Sequence, residues 1–186
     1  MTTSHEAVVA LAMLILTVAL AGWGFLFRGL FHLGTVDSRS VIQAPLIGWC
    51  LVIAILQLWH LFLPVDGRIA SLVLAVGIAG LVMHAQGLRA WLSGSTGRVA
   101  GFIMVMGGAA LWLAGQTTTQ PALYDSGLYH LQAIQRAGAY PAVPGLGNLH
   151  GRFAFNSSFF LYAAMLNAGP FVNRAHHLAT GANHDR

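Results

Sequence analysis

The sequence predicts an all-α protein, a polytopic transmembrane helical bundle with an amphipathic surface helix in a long loop. Three observations predict it. The chain is 56% hydrophobic and only 8% charged, whereas a water-soluble domain carries about 25% charged residues. Four apolar runs follow one another with short polar connections, most near the roughly 20 residues that cross a bilayer as a helix. One polar island, residues 124–158, breaks this pattern and opens with helical periodicity.

The first run, residues 7–27, carries no basic residues ahead of it and ends in Trp23, Phe25, Phe27 and Arg28. That is a retained span with an interfacial aromatic belt, not a cleaved signal peptide. A short connection with His32, Asp37 and Arg39 leads to the second run, residues 41–63. Pro45 lies in its first turns, where a missing N–H costs least. Gln57 and His60 are polar residues near its far end, and Pro64, Asp66 and Gly67 form a turn. In the third run, residues 69–86, Gly77 and Gly80 mark a close helix contact. A Ser/Gly loop at 93–97 precedes the fourth run, residues 99–114. The expected organisation is therefore four transmembrane helices over 1–114, a polar extracytoplasmic loop over 115–158, and a short apolar segment with a truncated tail over 159–186.

Composition excludes several function classes. Nine basic and five acidic residues give a net charge of +4 with no basic patch, so nucleic acid is not an expected partner. A single cysteine, Cys50, forms neither an internal disulfide nor a thiolate metal cluster. The adjacent His176 and His177 point in two directions on a helix, and no metal site is read there. Ionisable residues at mid-span are nearly absent, which argues against an ion-coupled transporter.

The polar island holds the candidate chemistry. A helix over 125–137 is predicted, with Asp125 at its N-cap and Gly138 ending it. Asp125, Tyr129, Gln132 and Arg136 share one face at a 3.6-residue period, and His130 points to a third side. A carboxylate here serves as a general base or holds a divalent cation, and arginine suits a phosphate or pyrophosphate. Asp125 as a simple cap and Arg136 as a solvated charge or headgroup contact are the plain alternatives. Beyond the helix, Pro141, Pro144, Gly145, Gly147 and Gly151 brace a structured loop. In it Asn148, His150, Arg152 and Asn156 are ligand-binding candidates. Asn156, Ser157 or Ser158 also suits the cap of the next helix.

Arginines assign the sides. Arg28, Arg39, Arg89 and Arg98 fall on one side, and Arg68, Arg136 and Arg152 on the other. The positive-inside rule makes the four-arginine side cytoplasmic. The polar island then faces the periplasm or the cell exterior.

The stretches YDSGLYHLQAI, PGLGNLHGRFAFNSS and GPFVNRAHHLATG together resemble a family of bacterial polytopic membrane proteins. That family looks like the multi-span GT-C type glycosyltransferases that use lipid-linked sugars. The resemblance covers about residues 124–181. It implies a bacterial inner-membrane location, an N-terminal fragment of a longer protein, and Asp125 as the catalytic carboxylate. It further implies that Arg136 or Arg152 holds donor phosphate, and that His130 or His150 binds sugar or phosphate. Membrane lipids and a lipid-linked sugar are the expected partners. No cofactor is called for beyond that optional divalent cation. The rival classes are a non-catalytic membrane assembly protein and a transporter or flippase component.

Overall fold

A computed structural model describes residues 2–94, 97, 99–101, 104, 107–108, 130–149, 151 and 157–168. The described residues are helical, with no strand among them. The helices are α1 (Thr2–Leu30), α2 (Ser38–His60), α3 (Gly67–Met83), α4 (Ala85–Ser93), α5 (Leu131–Ala139), α6 (Leu146–Leu149) and α7 (Ser158–Ala168). Two of them, α1 and α2, are long and apolar enough to cross a membrane. A third span arises if α3 and α4, bent by 61° at their junction, are taken as one. The chain is thus an all-α membrane protein. Most of the fourth apolar run, the start of the predicted surface helix and the tail lie outside the described residues.

The chain forms two compact units, one of Met1–Val52 with Val73–Gly115, the other of Ile53–Leu72 with Gln116–Arg186. In the first, Ala12, Ala19, Leu20, Phe25, Ala44, Val52 and Val73 are buried, while Leu14, Ile15, Val18, Leu46, Ile78 and Val82 are exposed. So many exposed large apolar side chains suit a lipid surround rather than water. Lipid is as apolar as leucine, so helix association in a bilayer rests on close packing of small residues.

The seam itself is glycine. A Cβ on Gly24 would run into the Ala44 carbonyl, and one on Gly48 into that of Leu20. Those two glycines join α1 to α2. A Cβ on Gly22 would meet the Gly77 carbonyl, and one on Gly80 the Gly22 carbonyl, so α1 also touches α3 backbone to backbone. The contact predicted from Gly77 and Gly80 is present. Trp23 adds a side-chain tie, its Nε1 donating to the Val73 carbonyl at 2.9 Å.

Helix ends in this unit are closed by local chemistry. At the end of α1, the Leu33 N–H donates to the Arg28 carbonyl (2.9 Å) and the His32 N–H to the Gly29 carbonyl (3.2 Å). This is a Schellman cap, with His32 at φ 51° in the left-handed position that glycine usually takes. The Arg28 guanidinium donates to the Leu33 carbonyl at 2.6 Å. At the start of α2, Asp37 and Ser40 cap each other reciprocally. The Ser40 N–H donates to Asp37 Oδ1 and the Asp37 N–H to Ser40 Oγ, each at 2.7 Å. These bonds, the Ser40 backbone first, hold the Asp37 carboxyl below its ordinary 3.8.

This cap starts α2 at Ser38, three residues before the predicted run. Pro45 therefore lies two turns inside the helix rather than at its start. The helix runs through it with one N–H fewer, a break that membrane helices tolerate when neighbours are packed close.

In the second unit, the Pro64–Gly67 turn links α2 to α3 as expected. Trp59 Nε1 donates to the Pro64 carbonyl at 2.9 Å. Asp66 caps α3, accepting from the Arg68 N–H at 3.0 Å and from Arg68 Nε at 2.8 Å. That side-chain bond to Arg68 holds the Asp66 carboxyl below its ordinary value.

Helix α5 packs against α7, and Ile134 and Ala137 on the one and Leu161, Ala163, Ala164 and Met165 on the other are buried. The predicted stop at Gly138 is corrected. Gly138 is helical and α5 closes at Tyr140, which is extended at φ −135°. The last turn is closed by the Tyr140 N–H donating to the Arg136 carbonyl at 2.9 Å. Nearby, the Val65 N–H donates to the Ala137 carbonyl at 2.8 Å.

Candidate functional site

The second unit holds a half-open cavity of about 450 Å³. Three helices and one loop wall it. The end of α2 supplies Gln57, His60 and Leu61; α5 supplies Ala133, Arg136 and Ala137. The braced loop supplies Pro141, Ala142, Gly145 and Leu146, and Ser157, Phe160 and Leu161 complete the wall at α7. The loop is fixed to α2 by a backbone bond, the Ala142 N–H donating to the His60 carbonyl at 2.8 Å. Gly145 turns it at φ 80°, a conformation open to glycine at no steric cost.

Two polar atoms in this lining are buried without a hydrogen-bond partner: His60 Nδ1 and Arg136 Nε. The imidazole has a backbone hydrogen bond with Leu63, while Nδ1 has no partner of good geometry. A buried polar group left unpaired costs about 1–3 kcal/mol, and more if charged. Such atoms are rare in folded proteins, and a ligand or water accounts for many of them. Among the described residues, no acidic residue in the cavity wall balances Arg136. The chamber is otherwise apolar, with a few convergent polar groups, the usual composition of a small-molecule site.

The predicted site residues divide into three sets. Arg136 lines the cavity, half-buried, where the face pattern leaves room for a solvated charge. Gln132 is exposed and shares a smaller cleft, about 300 Å³, with Gln135, Arg136 and Tyr140. The expected pairing of Gln132 and Arg136 on one face is present, although only Arg136 reaches inward. His130 leaves that face, as its position implies, and sits against the Phe160 ring at 5.1 Å between centroids. Asn148 is exposed and is not part of the cavity wall. Asp125, Tyr129, His150, Arg152 and Asn156 lie outside the described residues.

His60 and Gln57 are the site residues that sequence reasoning passed over. They stand one turn apart at the end of an apolar helix, and that spacing puts both on one face. The pair was the available signal. Their facing partner, Arg136, is distant in sequence and no local pattern connects them. Among the described residues, no group of three or more His, Cys, Asp or Glu gathers as metal ligands.

This architecture is that of an α-helical membrane protein with a cavity among helix ends. A family described as a domain of unknown function (DUF8201) matches residues 7–182. The chain belongs to that family. No curated protein and no solved structure matches it.

Proposed function

We propose that this protein binds the phosphate-bearing head of a lipid-linked sugar in the cavity of the second unit, as part of a glycosyltransferase-like enzyme. The observation that carries the reading is Arg136. Its Nε is buried and unpartnered, and the residue lines a pocket with no acid among the described lining residues. A guanidinium in that setting favours a phosphate, which supplies both counter-charge and acceptors. Leu58, Leu61, Leu146 and Phe160 give the chamber the apolar surface a lipid carrier needs. The motif resemblance over residues 124–181 supports the same substrate class.

In this reading Asp125 is the general base for the acceptor hydroxyl, or the holder of a divalent cation. Tyr129, His150, Arg152 and Asn156 contact sugar or phosphate. The polar island faces the periplasm of a bacterial inner membrane. Asn148→Cys in a Cys50→Ser background reports that side, since a membrane-impermeant maleimide should label it from outside intact cells.

The test of function is transfer from a polyprenyl-phosphate sugar by the purified full chain in lipid nanodiscs. Arg136→Met should weaken donor binding, and Asp125→Asn should abolish transfer while binding persists. Binding without transfer in the wild type would identify a non-catalytic carrier-binding protein instead. Binding unchanged in Arg136→Met removes the proposal.

A further inference from the structure

The cavity supports one more assignment, which rests on the phosphate reading above. We infer that His60 is a second ligand-binding residue, its Nδ1 taking one edge of the phosphate group that Arg136 holds from the facing wall. The polar group held here is then a phosphate ester or diphosphate and not a neutral sugar.

The first support is coincidence of place. Among the described residues, two carry a buried and unpartnered side-chain atom, and both of those residues line this one cavity. One comes from the end of α2 and the other from α5, so they reach a common space from different walls. Independent packing defects have no reason to meet there.

The second support is chemical. Arginine Nε–H only donates, whereas imidazole Nδ1 donates or accepts according to its tautomer and charge. A sugar hydroxyl satisfies the imidazole but brings no counter-charge to the guanidinium. A phosphate satisfies both. Ionised, it accepts from Arg136 and from a protonated Nδ1; singly protonated, it accepts from Arg136 and donates to a bare Nδ1. Gln57, one turn before His60 and in the same wall, leaves an amide free for the atom next to that phosphate.

The phosphate has two sources, a lipid-linked head reached from the bilayer and a free phosphate compound from water. The test uses the full chain in phosphatidylcholine nanodiscs. Polyprenyl phosphate is titrated within the disc and inorganic pyrophosphate in solution, while the ¹⁵N resonances of the His60 imidazole are followed. The Nδ1 resonance should move with at least one probe. Movement with polyprenyl phosphate fixes the source as membrane lipid, and movement with pyrophosphate alone fixes it as a soluble phosphate. Each supports the assignment.

His60→Leu should weaken the active probe by about tenfold or more. His60→Asn, whose amide falls near the Nδ1 position, should recover most of that loss, and His60→Gln should not. No movement of Nδ1 with either probe means the cavity holds water only and overturns the inference. Recovery by His60→Gln alone moves the contact to Nε2 and overturns it as well. Weakening by Arg136→Met with His60→Leu unchanged defeats this inference while sparing the phosphate reading. If neither substitution matters, both fall.

Discussion

The two units handle buried space in opposite ways. In the first, backbone touches backbone along the glycines of α1, α2 and α3, and the cap residues satisfy one another. In the second, α5 and α7 pack closely on one side, yet a chamber of about 450 Å³ stays open beside them. Its wall keeps two polar atoms without partners. A seam built for stability spends no volume. A wall that tolerates voids and unpaired donors forgoes stability, and such a loss is expected where a ligand binds.

Substitutions can break this contrast. The largest effect is expected at the seam. Gly77→Leu or Gly24→Leu drives a side chain into a facing backbone, which cannot give way as a flexible side chain can. The expected loss is about 3 kcal/mol or more, seen as a fall in thermal stability by size-exclusion fluorescence in detergent. A seam glycine that accepts leucine without loss would show that the close approach is not what holds this unit.

At the cavity the sign should reverse. Arg136→Met and His60→Leu replace buried unpaired polar groups with apolar ones of similar size. Thermal stability should stay level or rise by about 1 kcal/mol, while phosphate-lipid binding falls. A marked loss of stability from either would place these side chains in the supporting framework rather than the site.

His32→Gly sharpens the first side of the comparison. The Schellman position holds a residue with a Cβ at φ 51°, and glycine there removes the strain. A gain of about 0.5–1 kcal/mol is expected, readable in the same melt.

The smallest effect concerns pH. Asp37 and Asp66 both titrate below their ordinary 3.8 in the folded chain. Their contribution is fully present above that value and is lost as pH falls through the depressed folded values. Melts taken in series at falling pH should therefore show a decline below about 4 that these two carboxylates carry. Ser40→Ala, which removes the hydroxyl but keeps the backbone N–H that is the larger cause, should reduce the Asp37 part of that decline without abolishing it.

Much of the first unit was legible because its signals are local. Run length announces a span, and Gly77 with Gly80 announces a close approach. Asp37 and Ser40 carried a further local signal, a capping pair three residues apart. Reading it would have started α2 at Ser38 and put Pro45 inside the helix. The bend beyond Met83 had no such signature, since α3 and α4 are joined by one residue and no proline.

The site was half legible. Arg136 stood out as a polar residue of the island, but its surroundings depend on α2 and α7, which periodicity within 124–137 does not contain. His60 looked like the polar end of a span for the same reason. Gly138 was read as a stop because glycine commonly follows a last helical turn, and the Val65 N–H that takes the Ala137 carbonyl is far away in sequence.

The backbone bonds that tie Ala142 to His60 and Val65 to Ala137 bear on kinetics. They anchor the loop behind the cavity and the turn after α2 before any ligand arrives. Arrival then has little chain left to organise, so the entropic toll on association is small. Those two amides should be among the slowest of their loops to exchange with deuterated solvent, and a ligand should leave their rates nearly untouched.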